Sequence, residues 1–63
     1  MSPLLRLSDV LRFVGLEKSH IYNLISEGNF PRPVKIGRAS RWPEREIEAW
    51  VSARVAERDE GAQ

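Results

Sequence analysis

The sequence contains no cysteine and a single histidine, His20, among its 63 residues. Disulfide bonds are therefore excluded, and so is a structural zinc site, because such sites draw their four ligands mainly from these two residue types. No apolar run approaches the roughly 18 residues that span a bilayer, and the first residues, with Pro3 and Arg6, lack the apolar core of a signal peptide. We therefore expect a cytoplasmic protein without cofactor, metal or membrane contact.

The chain is short but has the composition of a folded domain. It is 41% hydrophobic and 30% charged, which favours one small globular domain over a disordered segment. A domain of this size buries only about 60% of its unfolded surface, so we expect marginal stability or self-association. We predict a flexible leader over residues 1–6, one folded domain over residues 7–56 and a disordered acidic tail over residues 57–63.

The net charge of +1 conceals a division of charge along the chain. Residues 1–42 hold seven basic and three acidic side chains, for a net +4, whereas residues 43–63 hold three and six, for a net −3. The basic part suggests a polyanionic partner, and the acidic final helix is consistent with a side that faces away from it. An ordinary solvated surface is the alternative explanation.

Apolar residues recur with helical spacing in two neighbouring segments. The first helix, about Ser8 to Val14 with Ser8 as N-cap, directs four residues inward: Leu7, Val10, Leu11 and Val14. The second helix, between a Glu17 N-cap and a left-handed Gly28, directs three residues inward: Ile21, Leu24 and Ile25. A short connection containing Gly15 joins them, which predicts a helix-turn-helix whose second helix can enter a DNA major groove.

A basic hairpin is predicted after the helix pair. Pro31 and Pro33 exclude a helix and favour extended backbone, and the segment from Gly37 to Ser40 then supplies a turn between two short strands. Because a lone hairpin is unstable, we expect three apolar residues to pack on the helices: Val34, Ile36 and Trp42. The basic residues should project together as a wing: Lys35, Arg38 and Arg41.

A third helix is predicted to start near Pro43, which suits a first helical turn, with acidic residues at its positive end. Its spacing predicts a buried stripe of four residues: Ile47, Trp50, Val51 and Val55. Phe13 lies off the stripe of the first helix, and we expect it to cover a gap against the third helix rather than to bind a partner.

No group of residues points to catalysis. Ser19 and His20 are the one nucleophile and base that could be paired, yet adjacent helical residues do not face one another. Glutamates two residues apart in the third helix point to different sides, which argues against a metal site. We therefore predict that the protein is not an enzyme.

The polar side of the second helix, in contrast, carries groups suited to a DNA groove. Asn23 can pair bidentately with adenine, and Lys18 and Ser19 can reach guanine edges or phosphates. A merely solvated helix face is the alternative, but the glycine turn before it and the basic hairpin after it favour DNA contact. The predicted DNA-binding residues are Lys18, Ser19, His20, Tyr22, Asn23, Lys35, Arg38, Ser40 and Arg41.

Three motifs between about Leu7 and Arg54 carry a family resemblance: His20 to Gly28 (HIYNLISEG), Phe30 to Gly37 (FPRPVKIG), and Arg41-Trp42 followed by Ile47 to Trp50 (IEAW). With them the chain resembles the AlpA family of small phage-type regulators, which are similar to excisionases and to MerR-like winged helix-turn-helix proteins. The resemblance implies a mostly α-helical fold of three helices plus a wing. It places Lys18 to Asn23 on the recognition helix and Gly37 to Arg41 at the adjacent groove or backbone. Where the family usually has Ser, this chain has Glu17, a weaker helix cap.

The resemblance leaves two regulatory roles open. One is a sequence-specific transcriptional regulator of AlpA type, and the other is a prophage or mobile-element excisionase that bends DNA beside an integrase. A protein-interaction module of the same fold, with Tyr22 and Phe13 as contacts, is a third alternative. The expected partner is double-stranded DNA, bound by dimers or tandem copies because one small domain contacts few base pairs, with RNA polymerase or an integrase as protein partner.

Overall fold

The computed structural model describes residues 3–61. It contains three helices and a three-stranded antiparallel sheet, in the chain order β1 (Leu4–Leu5), α1 (Leu7–Val14), α2 (Lys18–Ser26), β2 (Val34–Ile36), β3 (Ala39–Pro43) and α3 (Glu44–Gly61). The strand order in the sheet is β1-β3-β2. This architecture confirms the predicted class, a mostly helical winged helix-turn-helix with three helices and a wing.

Helix α1 begins one residue before Ser8, the predicted N-cap. The N-cap is Arg6, whose extended backbone N–H donates to the carboxylate of Asp9 at 3.1 Å. Asp9 also places a negative charge in the first turn, where the helix dipole favours it. Gly15 ends the helix with φ 72°, and its N–H donates to the carbonyl oxygen of Leu11 at 2.8 Å. The left-handed glycine turns the chain towards α2.

Helix α2 has the start and end that the sequence predicts. Glu17 is the N-cap, with extended backbone and no side-chain capping hydrogen bond, as expected of a weak cap. Gly28 follows the helix with φ 77°. The N–H of Asn29 donates to the carbonyl oxygen of Leu24 at 2.8 Å, which satisfies a carbonyl of the last turn.

The segment predicted as a flexible leader contributes the edge strand β1. Leu4 pairs with Pro43 and Leu5 pairs with Trp42. Leu5 packs against the core, whereas Leu4 is exposed. Met1 and Ser2, the rest of the predicted leader before Pro3, lie outside the described residues.

Helix α3 starts at Glu44, directly after β3, because Pro43 belongs to the strand rather than to the first helical turn. It continues to Gly61, so most of the predicted disordered tail is helical, and the last two residues lie outside the described part. Ion pairs Arg54–Glu57 and Arg58–Asp59 lie along this exposed end. Good helix formers and i,i+3 charge pairs such as Arg54–Glu57 extend a helix without a buried face.

Five side chains of the described part of the chain form the core, and each comes from a different segment: Val10, Ile21, Phe30, Trp42 and Ile47. Trp42 is the largest of them and has no exposed surface. Its indole N–H donates to the carbonyl oxygen of Pro31 at 3.0 Å, which satisfies its single polar atom inside the core. Its predicted inward position is therefore confirmed.

Several residues predicted to be buried are not. Val34 and Ile36 are 44% and 52% exposed, because they occupy the sheet face opposite Trp42. Val55 is 42% exposed, since it lies in the part of α3 that extends beyond the core. Phe13 is 47% exposed and lies beside Asp9 and Arg12 of its own helix, rather than covering a gap against α3. Trp50 and Val51 are only partly buried.

Replacing Trp42 with Ala should unfold the domain or nearly so. Removal of a buried tryptophan typically costs about 3–5 kcal/mol, and a small domain has little more than about 5 kcal/mol to lose. Urea denaturation followed by circular dichroism measures the free energy of unfolding. The matched control is Val55→Ala on the exposed end of α3, which should change this free energy by no more than about 0.5 kcal/mol. Equal midpoints for the two variants would contradict the core assignment.

Candidate nucleic-acid interface

The polar side of α2 is a continuous exposed surface. All five site residues predicted on this helix are exposed, and they surround the fully buried Ile21: Lys18, Ser19, His20, Tyr22 and Asn23. Ser19 and Asn23 lie one helical turn apart on the side opposite Ile21. We name this exposed set of five residues the α2 face.

Asn23 is the residue of the α2 face with the most available hydrogen-bonding capacity. Its side-chain amide makes no hydrogen bond with any other residue between 3 and 61, so both its donor and its acceptor are free. The hydroxyl of Ser26, one turn nearer the C-terminus, instead donates to the carbonyl oxygen of Asn23 at 2.8 Å. The helix therefore presents an unpaired amide in the middle of its exposed side.

The wing is a hairpin with a two-residue turn. Ile36 pairs with Ala39 and Lys35 pairs with Ser40, so the turn consists of Gly37 and Arg38 and not of the whole predicted segment from Gly37 to Ser40. Gly37 has φ 63°, whereas Arg38 does not have a positive φ. A positive φ at the first central position only is the signature of a type II′ turn, which matches the twist of a hairpin. Arg38 therefore lies at the tip.

The basic residues of the wing do not share one face, contrary to the sequence prediction. Lys35 lies opposite Ser40, and its Nζ donates to the Ser40 hydroxyl at 2.7 Å. Arg41 lies opposite Val34 on the other face, partly buried, and its guanidinium donates to the carbonyl oxygen of Ser40 at 2.9 Å. Side chains alternate between faces along a strand, and the two-residue turn sets this register. Lys35 and Arg41 thus flank the exposed tip from opposite sides.

The residues from Asn29 to Pro33, which we name the arm, connect α2 to the wing. Two tryptophans hold the arm: Trp42 donates to the carbonyl oxygen of Pro31 at 3.0 Å, and Trp50 donates to that of Asn29 at 2.7 Å. Phe30 lies between these two carbonyls and is 5% exposed. These contacts join residues 11 and 21 positions apart, so no local sequence signal predicts them.

The cations of the described residues fall into two groups. Three arginines form ion pairs with carboxylates on their own helices: Arg12, Arg54 and Arg58. Within residues 3–61, seven others have no carboxylate within ion-pair distance: Arg6, Lys18, Arg32, Lys35, Arg38, Arg41 and Arg45. Five of these seven lie on α2, the arm and the wing. Positive charge without an internal partner is thus concentrated on the two elements that the sequence predicted to contact DNA, α2 and the wing, and on the arm that joins them.

Arg32 belongs to this group but was not among the predicted site residues. It is exposed, and it lies between Pro31 and Pro33 in the arm. The sequence signal that could have identified it is its position, because an arginine between two prolines cannot be folded into a helix or a central strand.

Two other classes of site have no support in the part of the chain that the structure describes. Residues 3–61 contain no group of three metal-ligating side chains suitable for an ion. None of the three helices has the length and apolar character needed to cross a bilayer.

The sequence matches the family model described as prophage CP4-57 regulatory protein (AlpA) over residues 3–55. The chain belongs to the AlpA family. The matched region of this phage-type regulator includes β1, the α2 face, the arm, the wing and most of α3, and it confirms the resemblance found in the sequence motifs. The chain is also 40% identical over 58 residues to a protein of Enterobacteria phage P4 described as uncharacterized protein ORF88. The alignment covers 90% of this AlpA-family chain and 66% of that relative.

Replacing Gly37 with Ala should loosen the wing while leaving the helices intact. The positive φ of this turn position costs an L-residue roughly 1–3 kcal/mol, and an added Cβ would meet no atom within 4 Å, so the effect comes from the backbone alone. Amide hydrogen exchange should become faster in β2 and β3 and stay unchanged in α1 and α2. Arg38→Ala, in the same turn but without a positive φ, is the control and should leave exchange unchanged. Wild-type protection of β2 and β3 in Gly37→Ala would refute the turn assignment.

Proposed function

We propose that this AlpA-family protein is a sequence-specific DNA-binding transcriptional regulator that performs no catalysis. Helix α2 enters the major groove, and the wing lies on the phosphate backbone or in the adjacent minor groove. The observation that carries the proposal is the concentration of unpaired cations on α2, the arm and the wing, next to the free amide of Asn23. Unpaired cations attract DNA by releasing its counterions, and a free amide can read a base.

The α2 face supplies the sequence reading. Asn23 pairs with the N6 and N7 edge of adenine, because its amide offers one donor and one acceptor in the required geometry. Ser19, one turn earlier, reaches the neighbouring base or phosphate, with Lys18, His20 and Tyr22 at the flanks. The negative charge of Glu17 at the N-cap disfavours a phosphate at the N-terminus of α2. The helix therefore binds DNA through its side chains rather than through the backbone N–H groups of its first turn.

The wing supplies affinity and orientation. Arg38 at the tip meets a phosphate or the minor groove, and Lys35 and Arg41 follow the backbone on either side of it. Ser40 orients both neighbours, because its hydroxyl accepts from Lys35 and its carbonyl oxygen accepts from Arg41. Arg32 in the arm extends this line of cations towards α2.

An excisionase that bends DNA beside an integrase is a second candidate, because both matches are to phage or prophage proteins. In either role the protein acts in the cytoplasm as dimers or tandem copies on DNA, with RNA polymerase or an integrase as its protein partner. Footprinting of the DNA that flanks its gene distinguishes the two roles. One protected site near a promoter supports the regulator, and a row of spaced sites beside an attachment site supports the excisionase.

A protein-interaction module is the third candidate, and the exposure of Phe13 and Tyr22, at 47% and 41%, is the observation that favours it. The salt dependence of binding separates it from the first two. Binding to DNA weakens steeply as salt rises, whereas an apolar protein interface responds little.

Asn23→Ala should reduce the difference between specific and nonspecific DNA affinity by about 1–3 kcal/mol without altering the fold, because a bidentate pair with one base is lost. Fluorescence anisotropy on the specific site and on scrambled DNA measures both affinities. Ser26→Ala, on the same helix but with its hydroxyl bonded internally, is the control and should keep the wild-type difference. A loss of the same size on both DNAs would show that Asn23 contacts phosphate.

Arg38→Ala should weaken binding to all DNA sequences alike and leave the specificity ratio intact, because a flexible cation at a hairpin tip contacts phosphate. Each lost phosphate contact reduces the slope of log affinity against log salt by about 0.9, or roughly twice that in a dimer with both wings engaged. The control is Arg58→Ala, whose guanidinium is already paired with Asp59 on α3 and should leave the slope unchanged. A loss confined to the specific site would instead assign Arg38 to base reading.

A further inference from the structure

Trp50 lies between the core and the surface and makes three contacts there. Its indole N–H donates to the carbonyl oxygen of Asn29 at 2.7 Å. The ring meets Phe30 edge-on, with the centroids 4.8 Å apart and an interplanar angle of 63°. The guanidinium carbon of Arg54 lies 5.3 Å from the ring centroid. Trp50 thus attaches α3 to the first two residues of the arm.

The arm has few other ways to be held. Pro31 and Pro33 have no N–H, so two of its five residues cannot donate a backbone hydrogen bond. The indoles of Trp42 and Trp50 accordingly bind the arm through its carbonyls, on either side of the buried Phe30. The two hydrogen bonds differ in their burial. Trp42 is fully buried and its bond belongs to the core, whereas Trp50 is only partly buried.

We propose that Trp50 is a positioning residue for the wing. Its indole N–H fixes the arm at Asn29, directly after the end of α2, and so sets the angle between the α2 face and the wing. Without that hydrogen bond the arm is still anchored by Phe30, by Trp42 and by the N–H of Asn29, which donates to the carbonyl oxygen of Leu24. It is no longer attached to α3, and it pivots about these remaining contacts. The wing then has to be ordered when DNA binds, which lowers affinity. This inference rests on the proposed DNA-binding function.

The test is Trp50→Phe, which keeps an aromatic ring and removes the N–H. A typical net hydrogen bond corresponds to about a three- to tenfold change in an equilibrium constant, so DNA affinity should fall by about that factor on specific and scrambled sites alike. In the Arg38→Ala background the same substitution should cost a smaller factor, because one of the wing contacts that the arm positions is already gone. Val10→Ala, a core change in α1 rather than in the arm or in α3, is the control for lost stability. Measured where all variants are folded, it should keep wild-type affinity.

A second variant separates the N–H from the shape of the ring. Chemical synthesis of the 63-residue chain allows Trp50 to be replaced by benzothienylalanine, in which sulfur takes the place of the indole N–H. In DNA-free protein, the residual dipolar couplings of the wing amides should decrease relative to those of α1 and α2 in both variants. If Trp50 contributed only the packing of its ring, the benzothienylalanine protein would have wild-type couplings and wild-type DNA affinity.

The outcomes separate this inference from the proposed function. Wild-type affinity in Trp50→Phe, or a loss of the same size with and without Arg38, overturns the positioning role and leaves DNA binding standing. Wild-type protein that binds no DNA overturns the proposed function, and the couplings of the DNA-free variants then decide the role of Trp50 by themselves. Unchanged wing couplings in both variants overturn the positioning role in every case.

Discussion

The burial of Trp42 is the interaction on which the rest of the structure depends. Between residues 3 and 61 five buried side chains form the core of this small domain, and the four that pack with Trp42 come from four separate segments. Its backbone pairs with Leu5 of β1, and its indole holds the arm at Pro31. The Trp42 backbone therefore contributes to the sheet, and its side chain stabilises the helix pair and the entry to the wing.

The exposure of the proposed DNA interface follows from which few side chains this small core buries. Because Ile21 is fully buried, the remaining residues of the first turns of α2 face solvent as one surface. The arm that leaves α2 is held by two indoles, and the hairpin that follows carries Arg38 at its tip. The paired arginines lie elsewhere, on α1 and α3. The fold thus keeps five of the seven cations without an ion pair in residues 3–61 on α2, the arm and the wing, and α3 contributes Ile47 to the core.

Much of the fold could be predicted from the sequence, because its signals are local. Such signals include the apolar stripe around Ile21, the left-handed glycines Gly15 and Gly28 and the two prolines of the arm. Each of them determines the backbone conformation of the few residues around it. The failures in the sheet and the wing are non-local. Leu4 and Leu5 form a strand only because β3 is beside them, and Val34 and Ile36 are exposed because the two-residue turn sets the register of the hairpin. The same register separates Lys35 from Arg41, and the indole bonds of the arm span distances along the chain that no local pattern encodes.

The central claim is that the α2 face and the wing contact one DNA molecule together. The most direct measurement is a titration of ¹⁵N-labelled wild-type protein with its footprinted DNA site, followed by the backbone and side-chain amide resonances. The account predicts the largest shifts at the Asn23 side chain and at Gly37 and Arg38, with little change from Ala53 to Gly61. Shifts concentrated around Phe13 or on the end of α3, with the Asn23 amide unmoved, would contradict it.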